Sequence, residues 1–98
     1  MDNIEFIKSL IDDLNKLPDL DRVKLDALQR RAKMAIINIF GEKSGYLEDL
    51  RKISFDPPFP LAVVDGIKYQ NEFWDNGKTQ LLNLFNTMLE DLSWKGRD

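Results

Sequence analysis

Apolar residues recur at helical spacing in three stretches of the chain. In residues 3–17, "NIEFIKSLIDDLNKL", Ile4, Ile7, Ile11 and Leu14 share one face, and Leu10 and Leu17 widen it. Asn3 is the expected N-cap. Pro18 is the expected stop, because the residue before a proline is held out of the α region. The second stretch, "DLDRVKLDALQRRAKMAIINIFG", carries Leu25, Leu28, Ala32, Ala35, Ile36 and Ile39 on its main face. Val23, Ala27, Met34 and Ile37 add apolar surface round its side. Asp19 or Asp21 caps its start and Gly41 ends it. Its run "MAIINIF" is apolar almost all round, which predicts burial among several neighbours, as in the central helix of a bundle. The third stretch covers about residues 71–92, with Trp74, Leu81, Leu84, Phe85, Met88 and Leu92 in one stripe. Phe73, Leu82 and Leu89 broaden that stripe. Gly77 within it costs about 1 kcal/mol relative to alanine. Close approach of another backbone would justify the glycine, and so would a helix start delayed to residue 78.

The segments between these stretches read as punctuation. Gly41, Lys43, Ser44 and Gly45 superficially suggest a phosphate-binding loop, but the order is not G-x-x-x-x-G-K-[ST] and a helix, not a strand, precedes it. The same residues make a helix stop at Gly41 and an N-cap at Ser44 for a short helix from Gly45 to about Lys52, with Glu48 and Asp49 near its positive end. "SFDPPFP" must then be extended, since it holds three prolines in four positions. Pro57 and Pro60 form a PxxP, although Phe55 and Phe59 are better used in the protein's own core. Asp65 and Gly66 lie between two short β-prone runs, the signal of a tight hairpin, which with such short arms is a small flap on the bundle or an irregular loop. The fold expected is all-α: a small bundle of three long helices and one short helix, with a Pro-rich crossing segment and a short hairpin at 54–70. Residues 1–93 form its single domain and residues 94–98 a polar tail.

Composition narrows the chemistry. The 98 residues contain neither cysteine nor histidine, which removes disulfides, thiolate metal sites, the commonest general base and the commonest metal ligand. No residue is assigned to catalysis, cofactor binding or metal ligation, and the chain is read as a non-enzyme. Adjacent carboxylates occur at Asp12 and Asp13, at Glu48 and Asp49, and at Glu90 and Asp91. Neighbours on a helix point about 100° apart, so these pairs do not converge on one ligand. No apolar run approaches the roughly 20 residues that span a bilayer. The acidic start "MDNIEFIKSL" is unlike a signal peptide, so a cytoplasmic location without membrane association is expected.

Net charge is −3, which gives no global attraction to nucleic acid. Residues 21–52 differ from the rest, with eight basic and five acidic side chains. Arg30, Arg31 and Lys33 on the second helix are the candidates for contact with phosphates or an acidic protein. Asp26 interrupts the full basic group of Arg22, Lys24, Arg30, Arg31 and Lys33, and pairing with the acidic first helix is the alternative use for it. The large apolar residues either exceed what a bundle of this size covers, leaving an interface, or are covered by the proline segment and flap folding over them, and periodicity does not separate the two. Trp74, Trp94, Phe59 and Tyr69 are therefore the candidate partner-binding residues.

Phe40, Gly41, Ser44, Tyr46, Leu47, Leu50, Ile53, Ser54 and Phe55, followed by Phe73, Gly77, Leu81, Leu82, Met88 and Leu89, form a pattern of apolar, cap and turn positions. It resembles the small helical modules at the N-terminus of prokaryotic defence proteins of the abortive-infection or TIR-like nucleotide-sensing kind. The likeness covers roughly residues 30–92 and includes no catalytic motif. It implies a non-catalytic module for self-association or for contact with an effector. The residues lead to the same expectation: a helical module binding itself or a partner protein. The alternatives are a small nucleic-acid-associated regulator using the basic second helix and a stand-alone immunity-type bundle that blocks a toxin.

Overall fold

A computed structural model describes residues 2–56 and 66–95, and they form four helices: α1 (Asn3–Asn15), α2 (Arg22–Phe40), α3 (Gly45–Lys52) and α4 (Gly66–Lys95). The boundaries follow from local chemistry. Asp2, one residue ahead of the expected Asn3, caps α1 by accepting the Glu5 N–H at 2.8 Å. Asp21 does the same for α2, accepting from the Lys24 N–H at 3.1 Å. Such caps each contribute about 1 kcal/mol by satisfying an amide that the helix leaves unpaired. Gly41 ends α2 at φ 100°, where a side chain would be strained, and its N–H donates to the carbonyls of Ile36 and Ile37. Ser44 caps α3 through the Tyr46 N–H at 3.1 Å, so this glycine-containing turn joins two helices as expected.

Between α1 and α2 the chain turns within Lys16 to Asp21, and Leu20 sits there at φ 62°. The left-handed region costs a leucine about 1–2 kcal/mol. Leu17, just before Pro18, is buried and anchors this turn to the core.

Each helix packs against two neighbours. α1 lies between α2 and α4, and α3 lies between α2 and α4 on the other side. The diagonal pairs do not meet backbone to backbone among the described residues. All four helices turn their apolar stripes towards the shared axis. Ile7, Leu10 and Leu14 come from α1, Leu25, Leu28, Ala32, Ala35 and Ile36 from α2, Leu47 and Leu50 from α3, and Trp74, Leu81, Leu84, Phe85 and Met88 from α4. Each large side chain fully withdrawn from water here contributes roughly 1.5–3 kcal/mol. No polar or charged side chain is buried among the described residues.

Two ends of the bundle are fastened differently. At one end Phe55 packs edge-on against Trp74, with ring centroids 5.1 Å apart. Arg22 at the start of α2 stands 6.0 Å over the Trp74 ring and pairs with Asp56. Gly77, about one turn after Trp74, faces Ser54 and Phe55, the close backbone approach that justifies a glycine there. At the other end Phe40 meets Tyr46 edge-on at 4.8 Å, and the Tyr46 hydroxyl donates to Asp91 at 2.9 Å. These two fastenings set α3 antiparallel to α4.

The structure corrects four expectations. The hairpin is replaced by helix: α4 begins at Gly66, so residues 67–70, its expected second arm, are helical. A four-residue arm alone is marginal, whereas each residue added to a helix gains a backbone hydrogen bond. Gly77 therefore lies well inside α4, and the delayed start at residue 78 does not occur. α4 also takes in Trp94 and Lys95, the first two residues of the expected polar tail. Finally, α2 is a corner of the bundle and not its centre: Met34, in the run expected to be enclosed, is 49% exposed. The Pro-rich residues 57–60 and the first hairpin arm lie outside the described residues.

Candidate functional site

The four aromatic candidates are not equivalent. Trp74, a candidate anchor by sequence, is fully buried beneath Arg22 and Phe55 and packs as a core residue. It shares the inward stripe of α4 with Leu81, Phe85 and Met88, all fully buried, and helical spacing makes them one face. Trp94, in the last turn of α4, is 70% exposed. Phe59 lies outside the described residues. Tyr69 falls in the first turns of α4, and its side chain lies outside them as well.

The basic candidates divide between two sides of α2. Arg31 turns towards α1, where its guanidinium pairs with Asp13 and stands 5.3 Å over the Phe6 ring. This is the pairing with the acidic first helix that the charge distribution allows. Arg30 bonds Asp26 along its own helix at 2.8 Å. Arg30 and Lys33 turn towards α3, where with Arg51 they edge a groove of about 460 Å³ floored by Leu50 and Ile53. Arg30 and Lys33 thus stand together, and Arg31 does not join them.

The adjacent carboxylates separate in the same way. Asp12 binds Lys16 at 2.9 Å while Asp13 binds Arg31. Glu48 binds Arg51 at 2.9 Å, and Asp91 accepts from Tyr46. No group of three or more potential metal ligands forms among the described residues. Nor is any described helix long and apolar enough to cross a membrane.

The surface of α2 holds a feature that hydrophobic periodicity alone does not separate from the core. Val23, Ala27, Met34 and Ile37 lie opposite the core stripe of Leu25, Ala32 and Ile36, since a helix turns about 100° per residue. Val23 is 82% exposed and Met34 49%, while Ile37 is partly buried. α2 consequently carries two apolar stripes, one inward and one outward. The outward stripe is interrupted by Arg30, and it is continued by a hollow of about 370 Å³ lined by Arg30, Lys33, Met34, Ile37 and Asn38. The signal lies in the spacing of Val23, Ala27 and Met34, which on sequence grounds reads as broadening of the core face.

One titrating group is tied to the fold. Burial raises the pKa of Tyr46 above its ordinary 10.0, and the hydrogen bond and negative charge of Asp91, with the charge of Asp49, raise it further. The folded state thus holds the phenolic proton more tightly than the unfolded chain does. This contribution is complete below about pH 10 and is lost as the pH climbs through the raised value. Tyr46→Phe is expected to flatten the alkaline fall in stability, measured by urea unfolding at a series of pH values. An unchanged alkaline fall in the variant would show that Tyr46 is not its source. Comparison with protein-family models, curated proteins and solved structures finds no match for this chain.

Proposed function

We propose that this protein is a non-catalytic helical interaction module that binds another protein through the outward face of α2. The observation that carries the reading is the second apolar stripe, with Val23 and Met34 exposed on a helix whose opposite face forms the core. Single exposed apolar residues are ordinary on protein surfaces. Alignment of several along one helix face is not required by this fold. Val23 to Ala27 and Ala27 to Met34 are the i+4 and i+7 spacings on which helix-in-groove recognition relies. Trp94, at the end of α4, is a further exposed aromatic of the kind enriched at interfaces. The absence of histidine and cysteine from the sequence weighs against catalysis. The likeness to N-terminal modules of prokaryotic defence proteins agrees with a binding role, and a bundle that blocks a toxin is one form of it.

The test is site-specific photocrosslinking in the cells that encode the protein. A photoreactive residue at Met34 is expected to give a discrete protein adduct, and one at the exposed Thr79 of α4 is not. Identical adduct patterns at the two positions, or none at Met34, would sink the reading.

A further inference from the structure

The charges beside the outward stripe of α2 identify the kind of partner it fits. α2 carries five basic side chains and one acidic one in a chain of net charge −3. Their placement matters more than their number. On the α3 side, Arg30, Lys33 and Arg51 edge the groove that runs beside the stripe, with Asp26 as its acidic member; Arg30 pairs with Asp26 and Arg51 with Glu48, which leaves Lys33 as the surplus cation of that edge. On the α1 side, Lys16, Lys24 and Arg31 line a second groove of about 270 Å³; its acidic member Asp13 pairs with Arg31 and Asp12 pairs with Lys16, which leaves Lys24 as the surplus cation of that edge. The apolar ridge is therefore flanked along both edges by a net positive charge, with Lys24 on one side and Lys33 on the other beyond the paired groups. Ala27 near its middle leaves room for a close backbone approach.

Resting on the reading of this face as an interaction surface, we infer that its occupant is an amphipathic helix of a different protein, with an apolar stripe bordered by Asp and Glu. Carboxylates at both borders would meet the cations of both grooves while the apolar stripes pack on each other. Among its described residues a second copy of this chain does not supply such a helix. The large apolar residues exposed among the described residues are Leu20, Val23, Met34 and Trp94, so α1 and the described outer face of α4 offer no apolar stripe to the ridge. Packing α2 against α2 of another copy would set the basic borders against each other, and like charges in apposition oppose association. A nucleic acid would use the cations but leave Val23 and Met34 without a contact.

The experiment uses two labelled synthetic helical peptides with the same leucine stripe, one bordered by Glu and the other by Lys, titrated with the intact chain and followed by fluorescence anisotropy. The Glu-bordered peptide is expected to bind at least about tenfold more tightly, with the difference shrinking as salt rises. The double variant Val23→Gln, Met34→Gln keeps every charge and is expected to weaken that binding by about tenfold or more. Arg30→Gln with Lys33→Gln is expected to reduce the preference between the two peptides. Circular dichroism checks that the variants, altered only at exposed positions, remain folded. Equal binding of the two peptides, or no binding by either, overturns the assignment. So does light scattering that shows a dimer lost in the Val23→Gln, Met34→Gln variant, or duplex DNA binding that the same variant retains. Because the crosslink at Met34 is read independently, a partner found there without an acidic helix refutes the assignment and leaves the interaction face standing.

Discussion

Trp74→Ala is expected to cost about 3–5 kcal/mol of folding stability, the range for removing a large aromatic from a packed core. Three contacts are lost together. The indole is fully buried, Phe55 packs on it edge-on, and the Arg22 guanidinium covers it. Small domains have only about 5–15 kcal/mol in total, so the variant approaches the unfolding threshold. With about 4–8 °C lost per kcal/mol in a domain of this size, the melting temperature should fall by more than about 12 °C. Trp94→Ala is the matched control. Its side chain is 70% exposed, and the change should stay within about 0.5 kcal/mol. Urea unfolding of the two variants gives the comparison directly. Equal losses would mean that Trp74 is not at the centre of the core.

Gly77→Ala is expected to destabilise the protein by about 1–3 kcal/mol, although the same change in an exposed helix would stabilise it by about 1 kcal/mol. The sign is decided by what the new Cβ would meet. It would stand 2.8 Å from the Ser54 carbonyl oxygen, 2.8 Å from Cγ of Phe55 and 2.9 Å from its Cδ2. A flexible side-chain tip could yield at such distances, but a backbone carbonyl and the root of a wedged ring do so only by moving the segment. Gly45→Ala tests the argument from the other side, because nothing lies within 4 Å of its Cβ position. Thermal and urea unfolding of both variants read the difference. A Gly77→Ala variant as stable as the parent or more so would refute the close approach.

Much of the bundle is legible because its boundaries are written in residues with one local use. Asp21, Gly41 and Ser44 each mark a helix end where it occurs, and α3 spans Gly45–Lys52 as its caps predict. Gly77 is legible too, as a glycine retained in a helix against its propensity. The start of α4 is not. The residues around Gly66 favour strand locally, but strand preference is realised only beside a partner, and the long-range packing that decides this leaves no mark on ten residues. Periodicity also fails to separate Trp74 from Trp94, or the two stripes of α2, since it reports which residues share a face and not what that face meets. The ridge of Val23, Ala27 and Met34 is therefore visible as a pattern and invisible as a surface.

An interior in which no described polar or charged residue is buried has a consequence for registry. α4 has 30 residues and α3 has 8, and a long greasy stripe facing short ones can be slid by a turn with little change in the nature of its contacts. Among the described residues no buried polar pair penalises the shifted alignments, so the setting must come from shape. The notch at Gly77 admits Phe55 at that level of α4, while the Tyr46 hydroxyl reaches Asp91 at the far end. Together they act as a detent and a pawl that index the long helix against the rest.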